Sequence, residues 1–111
     1  MKKFLVLYEA PASAMAQMAK ATPEQTKQGM DLWMKWKGAN DKAIVDLGTP
    51  LGNGAHLKNE SASKASSPVV GYSILQAESL DAAKKALKNH PHFQTQGGSI
   101  EVFEFLPIPG M

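Results

Sequence analysis

The alternation of apolar and polar residues divides the chain into segments of two periods. Residues 4–8 form a first strand with Phe4, Val6 and Tyr8 on one side and Leu5 and Leu7 on the other. A strand apolar on both sides is covered on both sides. Residues 69–76 repeat this pattern, with Val70, Tyr72 and Ile74 on one face and Val69, Gly71, Ser73 and Leu75 on the other. Residues 99–106 make a last strand in which Ile100 and Val102 alternate against Phe103 and Phe105, the latter pair sharing a face with Glu101. Residues 51–58 complete the set, weakened by Gly52 and Gly54.

Between the strands the period lengthens. Thr22-Pro23-Glu24-Gln25 is a helix start: a threonine cap, proline in the first turn and glutamine at the capping-box position. Met30, Trp33, Met34, Lys37, Asp41, Ile44 and Val45 follow at roughly helical spacing until Gly48 and Pro50 end the run. Ser79 caps a second helix, with Leu80, Ala83, Ala86 and Leu87 as its buried stripe and Lys84, Lys85 and Lys88 facing water. His90-Pro91 stops it, because the residue before proline avoids the α region. A short helical segment capped by Ser13 lies within residues 10–21, and residues 59–68 form a polar, serine-rich hairpin connection.

The resulting order is β-α-β-β-α-β, the ferredoxin-like pattern. It is an α+β fold with a four-stranded antiparallel sheet and helices on one face. The helix-free face is then more apolar than a soluble monomer usually exposes. The expectation is a homodimer with two sheets packed face to face. Residues 1–111 are one domain's worth of chain.

Composition narrows the function. Net charge is only +2 and all twelve basic residues are lysine, which weighs against nucleic-acid recognition. The lack of cysteine excludes thiolate chemistry and disulfides. The apolar run at residues 4–8 is shorter than the roughly 7–15 residues of a signal-peptide core. Nothing approaches the roughly 20 apolar residues of a membrane span, so the reading is cytoplasmic, without a membrane partner.

Three histidines are the obvious candidates for chemistry. His90 and His92 flank a proline, and with His56 they could offer three imidazoles to a metal. Helix-end placement already accounts for His90, so no metal and no cofactor are assigned. Either His90 or His92 could serve as a general base beside Asp31, Asp46 or Glu101. Trp33 and Met30 read most simply as core. Trp36, about 60° away from them on the helix, could line a pocket or the dimer edge. Trp33, Trp36, His56 and Tyr72 are the candidate binding residues. The glycine-rich run at residues 48–54 lacks the ending of a phosphate loop.

Several segments resemble the YCII-related family. They are Gly71-Tyr72-Ser73-Ile74-Leu75-Gln76-Ala77-Glu78-Ser79-Leu80-Asp81-Ala82-Ala83, then His90-Pro91-His92-Phe93, Gly97-Gly98-Ser99-Ile100-Glu101-Val102, and the closing Phe105-Leu106-Pro107-Ile108-Pro109-Gly110. Ser66-Ser67-Pro68 stands where members carry Asp-Gly-Pro-Phe. The resemblance implies a dimeric α+β barrel with a pocket between sheet and helices. It also implies, for some members, a catalytic His–Asp pair with the histidine on the first helix. Residues 1–55 here contain no histidine, and Asp31 is the nearest polar candidate on that helix.

Two functions follow as expectations. One is a cofactor-free enzyme moving a proton, or isomerising, an aromatic-derived or lactone-like substrate. The other is a non-catalytic homodimer that binds a metabolite or a protein. A histidine enclosed in a pocket beside a carboxylate would favour the first, and histidines splayed into solvent would remove its mechanism.

Overall fold

The computed structural model describes residues 1–111. Strand β1 (Lys2–Glu9) lies at the centre, followed by a short helix α1 (Ala12–Met18) and the long helix α2 (Pro23–Ala39). A 3-10 turn (Asp41–Ala43) leads into β2 (Ile44–Asp46), and β3 (Ala55–Lys58) pairs with β4 (Ser61–Lys64). Then come β5 (Val69–Ala77), α3 (Leu80–Ala86), a 3-10 turn (Pro91–Gln94) and β6 (Ser99–Glu104). The main sheet has the order β2-β5-β1-β6 and is antiparallel throughout. With the β3–β4 hairpin set aside, this is the ferredoxin-like arrangement expected from the sequence.

Register explains the layering. Phe4 stands opposite Leu75, Val6 opposite Ser73, and Tyr8 opposite Gly71 on β5 and Ile100 on β6. All point to the helices and close the core with Trp36, Ala83 and Leu87. The opposite face carries Leu5, Leu7, Tyr72 and Ile74, each half-buried, and Phe103, half-exposed. No helix covers it.

The expected caps are present. Thr22 Oγ1 accepts from the Gln25 amide at 3.1 Å while the Gln25 side chain accepts from the Thr22 amide at 3.0 Å. Ser79 Oγ accepts from the Ala82 amide at 3.1 Å. α1 starts after Pro11 with no side-chain cap, not at a Ser13 cap.

Two boundaries differ from the sequence reading. α2 stops at Ala39, and residues 44–46 are the edge strand of the main sheet. Apolar residues one turn apart suit a helix, but β-branched Ile44 pairs with Leu75 and Asp46 with Ile74 along β5, with Val45 at an irregularity between them. Residues 51–58, expected as the second strand of the sheet, instead contribute β3 to a separate hairpin with β4 whose eight residues are all exposed. Only the Pro50–Gly71 bridge and the bond from the Leu51 amide to the Val70 carbonyl tie this region to the sheet.

Candidate functional site

His90 and His92 are held where α3 ends and the chain turns back toward β6. Asn89 takes a left-handed backbone (φ 60°), which asparagine tolerates, and His90 is extended before Pro91. His90 is 1% exposed and His92 7% exposed. The His92 amide donates to His90 Nδ1 at 2.9 Å, closing the N-terminus of the 3-10 turn. Since Nδ1 is occupied as an acceptor, the neutral ring carries its proton on Nε2.

That proton starts a directed chain. His90 Nε2 donates to the Tyr8 hydroxyl at 3.2 Å, Tyr8 donates to Ser73 Oγ at 2.8 Å, and Ser73 donates to the Leu47 carbonyl at 2.5 Å. Each hydroxyl therefore both receives and gives, and every buried side-chain nitrogen and oxygen has a partner. The His90 ring packs edge-on against Trp33 and Trp36, with centroids 4.6 and 4.4 Å away, and lies tilted against Tyr8 at 5.0 Å. Burial, with a smaller contribution from the nearby His92 charge, lowers the His90 pKa from 6.5 to about 4. Burial likewise raises Tyr8 to about 12, outweighing the bond to Ser73. Both groups are neutral near pH 7.

His92 is arranged differently. Its Nε2 donates to the Glu9 backbone carbonyl at 2.8 Å, which leaves the neutral ring's lone pair on Nδ1. No protein group bonds that nitrogen, and since no fully buried nitrogen lacks a partner, it keeps an opening to solvent. Of the four ring nitrogens, His92 Nδ1 alone has no hydrogen-bond partner.

A cavity of about 390 Å³ opens on the other side of Trp33. α1 supplies Ala14, Gln17 and Met18, α2 supplies Gly29, Leu32 and Trp33, and the turn supplies Pro91, Gln94, Thr95 and Gln96. Its polar side chains are three glutamine amides, one threonine hydroxyl and the Trp33 indole, and no charged side chain lines it. With three residues per turn of a 3-10 helix, Pro91 and Gln94 share the face toward the cavity, and His92 lies about 120° away, toward the Glu9 carbonyl of β1. The histidine cluster and the cavity therefore share Trp33 and Pro91 but are not one chamber.

The remaining candidates are scattered. His56 is exposed on β3, and no group of three histidine or carboxylate side chains gathers at metal-binding distance. Asp31 is exposed, bonds neither histidine, and at about 100° per residue lies opposite the stripe of Gly29, Leu32, Trp33 and Trp36. It is not the partner that its place on the first helix suggested. Asp46 is engaged by the Tyr72 hydroxyl at 3.1 Å and the Gly48 amide at 2.9 Å. Tyr72 lies on the helix-free face, away from the cavity; its hydrogen bond to Asp46 raises its pKa. Glu101 shares that face, where a bond to Glu9 raises its pKa.

The two tryptophans exchange their expected places. Trp36 is buried, its Nε1 donating to the Ala86 carbonyl at 2.9 Å, while Trp33 lines the cavity. Met30, read as core beside Trp33, is 58% exposed. Tyr8, the partner of His90, and Ser73, the partner of Tyr8, were missed. A serine on the helix-facing side of an otherwise apolar strand was the available signal, because a buried hydroxyl requires a partner.

No protein-family model and no curated protein matches the chain. Among solved structures it is similar to the 5-chloro-2-hydroxyhydroquinone dehydrochlorinase TftG of Burkholderia phenoliruptrix AC1100, in complex with 2,5-dihydroxybenzoquinone. The TM-score is 0.56 at 16% identity, over 96% of this chain and 94% of that one, and the likeness establishes a shared α+β fold.

Proposed function

We propose that the chain binds a flat, uncharged, oxygen-bearing aromatic molecule in the cavity over Trp33. The observation that carries this reading is the lining: an indole, apolar walls, and hydrogen-bonding groups without charge. Such a surface stacks a ring and satisfies hydroxyl or carbonyl groups, but gives a carboxylate or ammonium nothing to offset its lost hydration. The dehydrochlorinase that shares the fold is in complex with 2,5-dihydroxybenzoquinone, whose flat, oxygen-bearing ring supports the shape of this ligand class. The resemblance to YCII-related proteins is part of the same reading, as is a cytoplasmic setting, where a chain without cysteine is indifferent to reducing conditions.

A second reading, cofactor-free proton transfer on an aromatic-derived or lactone-like molecule, is supported by the free Nδ1 of His92 and places that molecule at the solvent opening of this nitrogen, outside the cavity over Trp33. That nitrogen has the tautomer of a general base, set by the Glu9 carbonyl. Titration with hydroquinone and with resorcinol, both neutral near pH 7, followed by NMR, tests the binding reading. Shifts at Trp33, Gln94 and Thr95 support it, and an unperturbed cavity overturns it. Proton exchange into a bound ligand, abolished in His92→Gln with binding intact, supports the catalytic reading; binding without exchange leaves a non-catalytic module.

We also infer that a second copy covers the helix-free sheet face. Leu5, Leu7, Ile74 and Phe103 make it too apolar to remain in water.

A further inference from the structure

A second recess of about 520 Å³ lies between α3 and the edge strand β6, and it shares no residue with the cavity over Trp33. Its floor is Leu87, Phe93, Ile100 and Val102, and its rim is Asp81, Lys84, Lys85 and Lys88. Asp81, Lys84 and Lys85 fall at i, i+3 and i+4 along α3, a helix about 10 Å long, and Lys88 lies in the turn just beyond its end. The lysines that read as a plain solvated face therefore border an apolar groove.

The groove exists because α3 sits over β5. Ala83 packs against Phe4 and Ala77, which leaves the helix-facing side of β6 only partly covered. Phe93 is 50% exposed and turned onto this floor. Charge on the rim is one-sided. Asp81 pairs with Lys84 at 3.7 Å, whereas Lys85 and Lys88 have no ion-pair partner. Their aliphatic stems can lie along the apolar floor while the ammonium groups reach the edge.

We propose that this groove binds an amphipathic monocarboxylate whose apolar body lies on Phe93, Ile100 and Val102 and whose carboxylate meets Lys85 and Lys88. An apolar floor alone would accept any hydrophobe; unpaired lysines along one edge select an anion. A single carboxylate suits lysine, a compact point charge that needs no planar fork. The groove opens on the helix side of the sheet, so a second copy seated on the opposite face leaves it accessible.

The test is an amide and methyl NMR titration of the whole protein with octanoate and with 2-naphthoate, using octanol and acetate as controls. The expected result is saturable shifts at Lys85, Lys88, Phe93, Ile100 and Val102. Neither control should produce them at equal concentration. Lys85→Gln and Lys88→Gln, both on exposed side chains, should each weaken binding about fivefold. Added salt should weaken binding further. Equal binding of octanol, shifts confined to the Trp33 cavity, or unchanged affinity in both lysine variants would overturn the proposal. Shifts at the groove that track protein concentration without ligand would also overturn it, by showing that another copy of the chain fills it.

Discussion

Protonating His90 means giving up the bond its Nδ1 accepts from the His92 amide and charging a ring packed among Tyr8, Trp33 and Trp36. In the unfolded chain the same ring takes a proton near pH 6.5, and in the fold only near pH 4. Between those values the unfolded chain binds more protons, so stability falls as pH falls through the window. Urea unfolding at pH 7 and pH 4.5 should show a loss on the order of 2 kcal/mol. His90→Gln should reduce that difference; an undiminished one assigns the pH dependence to other groups. Tyr8→Phe tests the chain of bonds from the same end. It leaves His90 Nε2–H without an acceptor in a sealed site and should cost about 1–3 kcal/mol. Combined with Ser73→Ala, the two losses should be non-additive by about 1 kcal/mol, since both interrupt one network.

At the level of elements, glycines in different surroundings behave oppositely. Gly48 leaves β2 with φ 83°, and a Cβ there would collide with the Tyr72 carbonyl. Gly48→Ala should cost more than about 2 kcal/mol and loosen the edge strand, visible as faster amide exchange at Leu75. Gly38 lies inside α2 with open space around its missing Cβ, so Gly38→Ala should stabilise by about 0.5–1 kcal/mol in thermal unfolding. The caps of α2 and α3 were legible because they depend on neighbours three residues apart. The end of α2 was not: Ile44 and Val45 fit the helical period, and only the available edge of β5 makes them a strand.

For the whole molecule, the radius of gyration is 15.7 Å, against about 13 Å expected for a compact chain of this length. The β3–β4 hairpin, fully exposed, accounts for part of the excess, and an isolated two-stranded ribbon is marginal in water. Together with the uncovered sheet face, this motivates the prediction of a dimer at micromolar concentration by sedimentation equilibrium. Leu5→Asp and Phe103→Asp, on the helix-free face, should yield monomers that keep their secondary structure. A wild-type monomer would sink the account of the two-sided strands.

The α+β order, the three longest strands and both capped helices were determined by the sequence alone. They rest on periods and short-range bonds that nearby residues specify. The partners of the histidines were decided only by tertiary structure. Tyr8 lies 82 positions from His90 and Glu9 lies 83 from His92, and register brings them together. The nearby carboxylates a sequence reader pairs with histidine are turned to other faces, Asp31 by the helix and Glu101 by the pleat. The free Nδ1 of His92 and the lysine-edged groove over β6 arise in the same way, from which side of each element the fold leaves uncovered.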